Sequence, residues 1–154
     1  PLWMGAGSPR SIKQLADRGY NMLLGQFDSL ETISEEVALF KSEVESRGRA
    51  YDPMEVAVAR SINIVDSASE YEQAIQTRMA GRRRTQALAR RPDFQDTFEA
   101  AEDGTIYGTP DEVSAQLQAL HDVGVEYVLL NTPGGLPTLR RFAQEVMPGF
   151  SREP

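Results

Sequence analysis

The chain has 154 residues, 40% hydrophobic and 25% charged, with a formal net charge of −7 and no cysteine. That composition fits a soluble globular protein and excludes disulfides and thiolate chemistry, while the acidic balance argues against nucleic-acid or anionic-membrane partners. No apolar run nears the roughly 18 residues of a membrane span and no signal-peptide pattern opens the chain, so it reads as cytoplasmic.

A strand-like segment, Leu2 to Ala6, begins almost at once after Pro1, as in a chain cut just before a strand. Gly7-Ser8-Pro9 follows, where Ser8 suits an N-cap and Pro9 the first helical position. Ile12, Leu15 and Ala16 give this helix one apolar face, Gly19 stops it, and Asn21 to Leu24 reads as a second buried strand.

Ile33, Val37, Phe40 and Val44 recur at helical spacing, which predicts an amphipathic helix from about Leu30 to Arg47, ended by Gly48. Tyr51-Asp52-Pro53 turns the chain, and the β-branched series within Met54 to Val65 predicts a third strand. Ser67 and Glu70 are spaced as a capping box for a helix running through Tyr71, Ile75 and Met79 to Arg82-Arg83-Arg84, then Arg90-Arg91, with Pro92 as its end. Asp93 to Gly104 reads as a helical or irregular surface insertion.

Thr109-Pro110-Asp111-Glu112 combines an N-cap, a first-turn proline and a capping-box glutamate. The helix it opens should bury Val113, Leu117 and Leu120 and stop at Gly124. Val125 to Leu130 reads as a fourth, buried strand, followed by a last helix with Leu139, Phe142 and Val146 on one side and Pro148 beyond its end. Strands alternating with helices predict a parallel α/β architecture, either an open doubly wound sheet or a segment of a barrel.

Gly5-Ala6-Gly7-Ser8-Pro9-Arg10-Ser11 joins a strand to a helix N-terminus, where free N–H groups and the helix dipole favour an anion. Gly7 would let a phosphate approach, and Ser8 and Ser11 offer hydroxyls one turn apart. A dinucleotide fingerprint would need glycine at Arg10 and an acid where Leu24-Gly25 stands. Spacing alone leaves two readings open: an anion loop, or a tight turn in which Ser8 only caps its helix.

The single histidine, His121, falls late on its helix and reads as a solvated side chain. Arg82 to Arg84 read as a solvated helix end, with contact to a second anionic cofactor the minor alternative. Asn131, Thr132, Gly134 and Gly135 follow the last strand on the face where parallel α/β proteins place their sites, or form only a flexible connection. No metal-ligand spacing and no Ser-His-Asp arrangement is present in the sequence.

Pro1 to Pro9, Ala16-Asp17-Arg18-Gly19, the stretch from Gly108-Thr109-Pro110-Asp111-Glu112-Val113 to Gly124-Val125-Glu126-Tyr127, and Leu139 to Pro148 occur in an order that resembles bacterial luciferase-like flavin-dependent oxidoreductases. The resemblance covers almost the whole chain. It implies the C-terminal half of a TIM (β/α)₈ barrel, residues 1–154 forming a single partial-barrel domain of strands five to eight, with a helical insertion at about 67–105. Strands one to four of such a barrel, whose usual length is about 250 residues, are absent.

In that family the loop after the fifth strand helps bind the phosphate of reduced FMN, or of a deazaflavin coenzyme, which carries over to Gly7, Ser8 and Ser11. The resemblance implies monooxygenation or hydride transfer on a small-molecule substrate, with the cofactor supplying the chemistry. No general base for that chemistry matches a residue here, so no catalytic residue is assigned, and activity is expected only with the N-terminal half. The competing expectation is a non-catalytic oligomeric half-barrel or ligand-binding module whose apolar inner face is covered by a second copy.

Overall fold

The computed structural model describes residues 1–89 and 95–151. The expected helix end at Arg90, Arg91 and Pro92, and the first residues of the insertion, lie outside the described residues. Two compact units make up the chain: Pro1–Arg60 with Leu117–Asn131, and Ser61–Gln116 with the residues from Thr132 onward.

In the first unit, β1 (Trp3–Gly5) leads into α1 (Pro9–Arg18), β2 (Asn21–Leu24) and α2 (Leu30–Ser46). Gly19 takes the left-handed conformation (φ 67°) that terminates α1, as its sequence position predicts. Ile12, Leu15 and Ala16 of α1 are buried together with Ile33, Val37, Phe40 and Val44 of α2, and the two helices pack on each other. Each such large side chain contributes about 1.5–3 kcal/mol by leaving water.

A single 3₁₀ turn, Pro53–Glu55, precedes β3 (Val56–Ile64), so this strand starts later than the expected Met54. β1 pairs with β2, and β2 with β3, in parallel: Trp3 opposite Asn21, Gly5 opposite Leu23, Met22 opposite Val56 and Leu24 opposite Val58. Alternation then sorts the side chains. Met22, Leu24, Val56 and Val58 are buried, whereas Trp3, Leu23, Tyr127 and Leu129, together with the buried Ala57, line a groove of about 610 Å³ on one side of the sheet.

In the second unit, α3 (Ala68–Ala89) is followed by α4 (Phe98–Glu102) and by β4 (Thr105–Gly108), which pairs in parallel with the second half of β3, Ser61 opposite Thr105. This strand was not expected; four residues are too few to show a period beside the stronger helix signal that follows. Ile75, Met79, Ala101 and Tyr107 form the local core, and the Tyr107 hydroxyl lies 2.9 Å from Ser61 Oγ. Arg141 ties the last helix down by donating to both carboxylate oxygens of Asp66 at 2.9 and 2.8 Å.

The Thr109 cap forms as its sequence predicts: Glu112 Oε2 accepts from Thr109 N at 2.8 Å and opens α5 (Pro110–Asp122). Val113 and Leu120 are buried, while Leu117 is only half-buried. The last strand, β5 (Tyr127–Asn131), pairs with β3 but is not the buried strand expected: Tyr127 is 43% and Leu129 53% exposed. The expected last helix is α6 (Gly135–Arg141), continued by a wider π-turn over Phe142–Val146; Val146 is buried and Leu139 is not.

Strand order settles the choice of architecture. β1, β2, β3 and β5 are neighbours in chain order, with β4 also joined to β3. A doubly wound sheet would reverse direction at a switch point, and none occurs among the described strands. The order is that of consecutive barrel staves.

Candidate phosphate loop

β1 ends at Gly5, and Ala6 N donates to Leu23 O at 3.1 Å, so the chain stays registered to β2 up to the edge of the loop. Ser8 then adopts an extended conformation (φ −151°, ψ 151°) and caps α1. Its Oγ accepts from Ser11 N at 3.3 Å, and Ser11 Oγ donates to Ser8 O at 2.8 Å.

The reciprocal half of this capping box gathers donors on one atom. Gly7 N at 3.4 Å and Ser8 N at 3.1 Å donate to Ser11 Oγ, which also lies 2.9 Å from Ser8 Oγ. Three polar groups thus converge on a single oxygen at the exposed end of α1, the arrangement an anionic oxygen requires. The structure brings Gly7, Ser8 and Ser11 together as a helix cap, and it leaves both sequence readings open, a cap alone or a cap whose donors can also face an anion.

Charge separates α1 from the other long helices. Glu31 lies in the first turn of α2, Glu70 in that of α3, and Asp111 and Glu112 in that of α5, whereas the first turn of α1 has no acid and carries Arg10. The positive end of the α1 dipole is therefore not neutralised by its own side chains. A Cβ built on Gly5 or Gly7 would meet no atom within 4 Å, and neither residue has a positive φ. The chain's own packing needs neither glycine, and the space into which a Cβ on Gly7 would project is open, so these residues fit a phosphate group.

The other sequence candidates divide. His121 is exposed, 3.4 Å from Glu126, on the solvent side as expected. Arg83 binds Asp96 at 2.6 Å and Arg82 donates to Gln95 O at 3.4 Å, so both are engaged with the segment after the insertion's start. Gly134 is required by close packing, because a Cβ there would collide with Thr138 Oγ1 and stand 3.2 Å from Asn63 Oδ1. Gly135 has a φ of 63°, so the glycine pair shapes the start of α6.

Two features were missed by the sequence reading. Arg60, 2% exposed in the middle of β3, donates to Gly25 O at 2.9 Å and Asp28 O at 2.7 Å. One cation among the alternate apolar positions Val56, Val58, Ile62 and Ile64 was the available signal. Nearby, Asp28 Oδ2 and Glu36 Oε2 are buried with no hydrogen-bond partner among the described residues, and burial together with the charge of Asp28 pushes the Glu36 carboxyl up to about 7.

Comparison with known proteins fits this geometry. Residues 1–127 match the model of the luciferase-like monooxygenase family. No match was found among curated proteins. A monooxygenase from Streptomyces bottropensis superposes with a TM-score of 0.74 at 20% identity, over 98% of this chain and 49% of that one. The coenzyme F420 dependent tetrahydromethanopterin reductase of Methanopyrus kandleri gives 0.69 at 20% identity, over 98% and 51%. The oxygenating constituent of 3,6-diketocamphane monooxygenase from Pseudomonas putida, solved in complex with FMN, gives 0.67 at 15%, over 95% and 47%. The chain thus spans about half the length of these structures, and its β/α units correspond to half of a TIM barrel. It belongs to the luciferase-like monooxygenase family.

Proposed function

We propose that this chain supplies strands five to eight, as one partial-barrel domain, and the phosphate-binding loop of a flavin-dependent oxidoreductase. The observation that carries this reading is the convergence of Gly7 N, Ser8 N and Ser8 Oγ on Ser11 Oγ at a helix N-terminus without an acid. A phosphate oxygen would take the place that Ser11 Oγ occupies, with the Ser11 hydroxyl turning to donate. Family membership supports reading the phosphate as that of reduced FMN or of a deazaflavin coenzyme, since one structural neighbour was solved with FMN and another is coenzyme F420 dependent.

When bound, the cofactor supplies reducing equivalents for oxygenation of, or hydride transfer to, a small molecule. The residues of this chain hold its phosphate end and provide half of the surrounding wall. No residue of this chain is assigned to proton transfer, and on this reading the rest of the wall around the cofactor comes from the part of the barrel that this chain does not span.

The test is calorimetric titration with FMN and with riboflavin, which lacks the phosphate, on the chain and on a Ser8→Ala/Ser11→Ala variant. Hydrogen bonds to a charged group are worth about 1.5–3 kcal/mol, so FMN affinity should fall by roughly ten- to a hundredfold in the variant. Equal FMN affinity in the folded variant would remove the loop from the site.

The exposed Tyr127 and Leu129 on the groove favour a second reading, a non-catalytic oligomer in which another copy covers this face. Sedimentation of the chain against a Leu129→Glu variant separates the two: a dimer abolished by the substitution supports the oligomer, and a monomer at every concentration rules it out.

A further inference from the structure

Alternate positions of β3 read Val56, Val58, Arg60, Ile62 and Ile64, and all five are buried. Burying a guanidinium among valines and isoleucines is costly unless protein groups replace its water. Here backbone carbonyls do so: Gly25 O and Ala59 O accept from Nη1 at 2.9 and 3.2 Å, and Asp28 O from Nη2 at 2.7 Å. Two of the three belong to the short connection between β2 and α2. A planar fork with a fixed angle between its donors holds both ends of that connection at once. The connection is also tightly folded, since the Asp28 carboxylate occupies the space into which a Cβ on Gly25 would project.

The held segment continues directly into the candidate site's support. Gly25 follows Leu24, the last residue of β2; one residue earlier, Leu23 O accepts from Ala6 N at 3.1 Å, and Ala6 is buried immediately before Gly7. We infer that Arg60 is a positioning residue for the phosphate loop: it fixes the end of β2, and the end of β2 fixes where the Gly7 and Ser8 N–H groups stand. This assignment rests on reading Gly7, Ser8 and Ser11 as a phosphate site. It also explains a buried charge that packing alone would replace with valine or isoleucine.

Arg60→Lys retains the charge and reaches one carbonyl, and Arg60→Met retains the stem and reaches neither. Both are compared with the unsubstituted chain by thermal unfolding, by amide NMR at Gly7 and Ser8, and by titration with FMN and riboflavin. The expected result for folded Arg60→Lys is displaced Gly7 and Ser8 resonances with FMN affinity lowered about tenfold, within the range that coupling through packed networks carries. Riboflavin affinity should change little.

Unmoved Gly7 and Ser8 resonances with unchanged FMN affinity would overturn the inference. So would an equal loss for FMN and riboflavin, which marks general loosening of the fold. If Arg60→Met does not fold, Arg60→Lys alone decides. Absence of FMN affinity in the unsubstituted chain is a different failure, because it removes the phosphate reading on which the inference stands.

Discussion

Trp3 and Tyr127 meet edge to face, ring centroids 5.7 Å apart and planes at 87°, although β1 and β5 are not hydrogen-bonded neighbours. Two strands, β2 and β3, lie between them in the sheet. A flat sheet would hold side chains on its first and fourth strands roughly 14 Å apart at the usual strand spacing. The inner face of this unit is therefore curved as a barrel wall is, and two aromatic rings close its floor.

Tyr127→Ala tests the strength of that closure. Aromatic pairs of this geometry contribute about 0.5–1.5 kcal/mol beyond area burial. The variant should lose at least that much stability by urea denaturation, since the covered part of the ring is lost as well, and the emission of Trp3, the single tryptophan, should shift to the red. Unchanged emission would mean that the rings are apart in solution.

Glycines at two sites should respond oppositely. Gly7→Ala meets open space and should leave the melting temperature nearly unchanged while weakening FMN binding. Gly134→Ala forces Thr138 Oγ1 and Asn63 Oδ1 aside, and should cost about 1–3 kcal/mol, as overpacking does. Thermal melts of both variants check the contrast; a Gly7→Ala melt as low as that of Gly134→Ala would contradict it.

Glu36 should make stability depend on pH. Its carboxyl rises from 4.5 in the unfolded chain to about 7 in the fold, so the folded state holds a proton that the unfolded state has released. The resulting penalty is absent below pH 4.5, grows between 4.5 and 7, and is complete above 7. Glu36→Gln should therefore be more stable than the parent at pH 8 by roughly 1 kcal/mol, after discounting for solvent screening of a partly exposed group. The gain should vanish at pH 4; a gain equal at both pH values would point to packing instead.

Glu112 should act with the opposite sign. Thr109 N and Oγ1 donate to its carboxylate and hold it below the ordinary carboxylate range. Its contribution is present above that range and is lost as pH falls through the lowered value. Thr109→Ala removes the cap and should cost about 1 kcal/mol at neutral pH, with a smaller difference in acid, as followed by circular dichroism.

The alternation of elements was legible because its punctuation is local. Ser8-Pro9 and Thr109-Pro110-Asp111-Glu112 announce helix starts by side-chain chemistry alone, and Gly19 announces an end by its permitted φ. The candidate loop was legible for the same reason. The exposure of β5 was not, because an apolar strand has the same sequence whether or not a second layer covers its other face. β4 was hidden by its length, and Arg60 by the valines and isoleucines around it, which pointed to a strand before they pointed to the cation within it.

β1 occupies one end of its sheet and is only three residues long. Such a stub presents few N–H and C=O groups, too few to hold a stray extended chain in register, so amyloid-like strand addition has little to start from there. The hazard lies in the row of side chains instead. Any association through the exposed Tyr127 and Leu129 would be by side-chain contact rather than by backbone pairing, a kind that dilution and mild detergent reverse and that seeds no fibre.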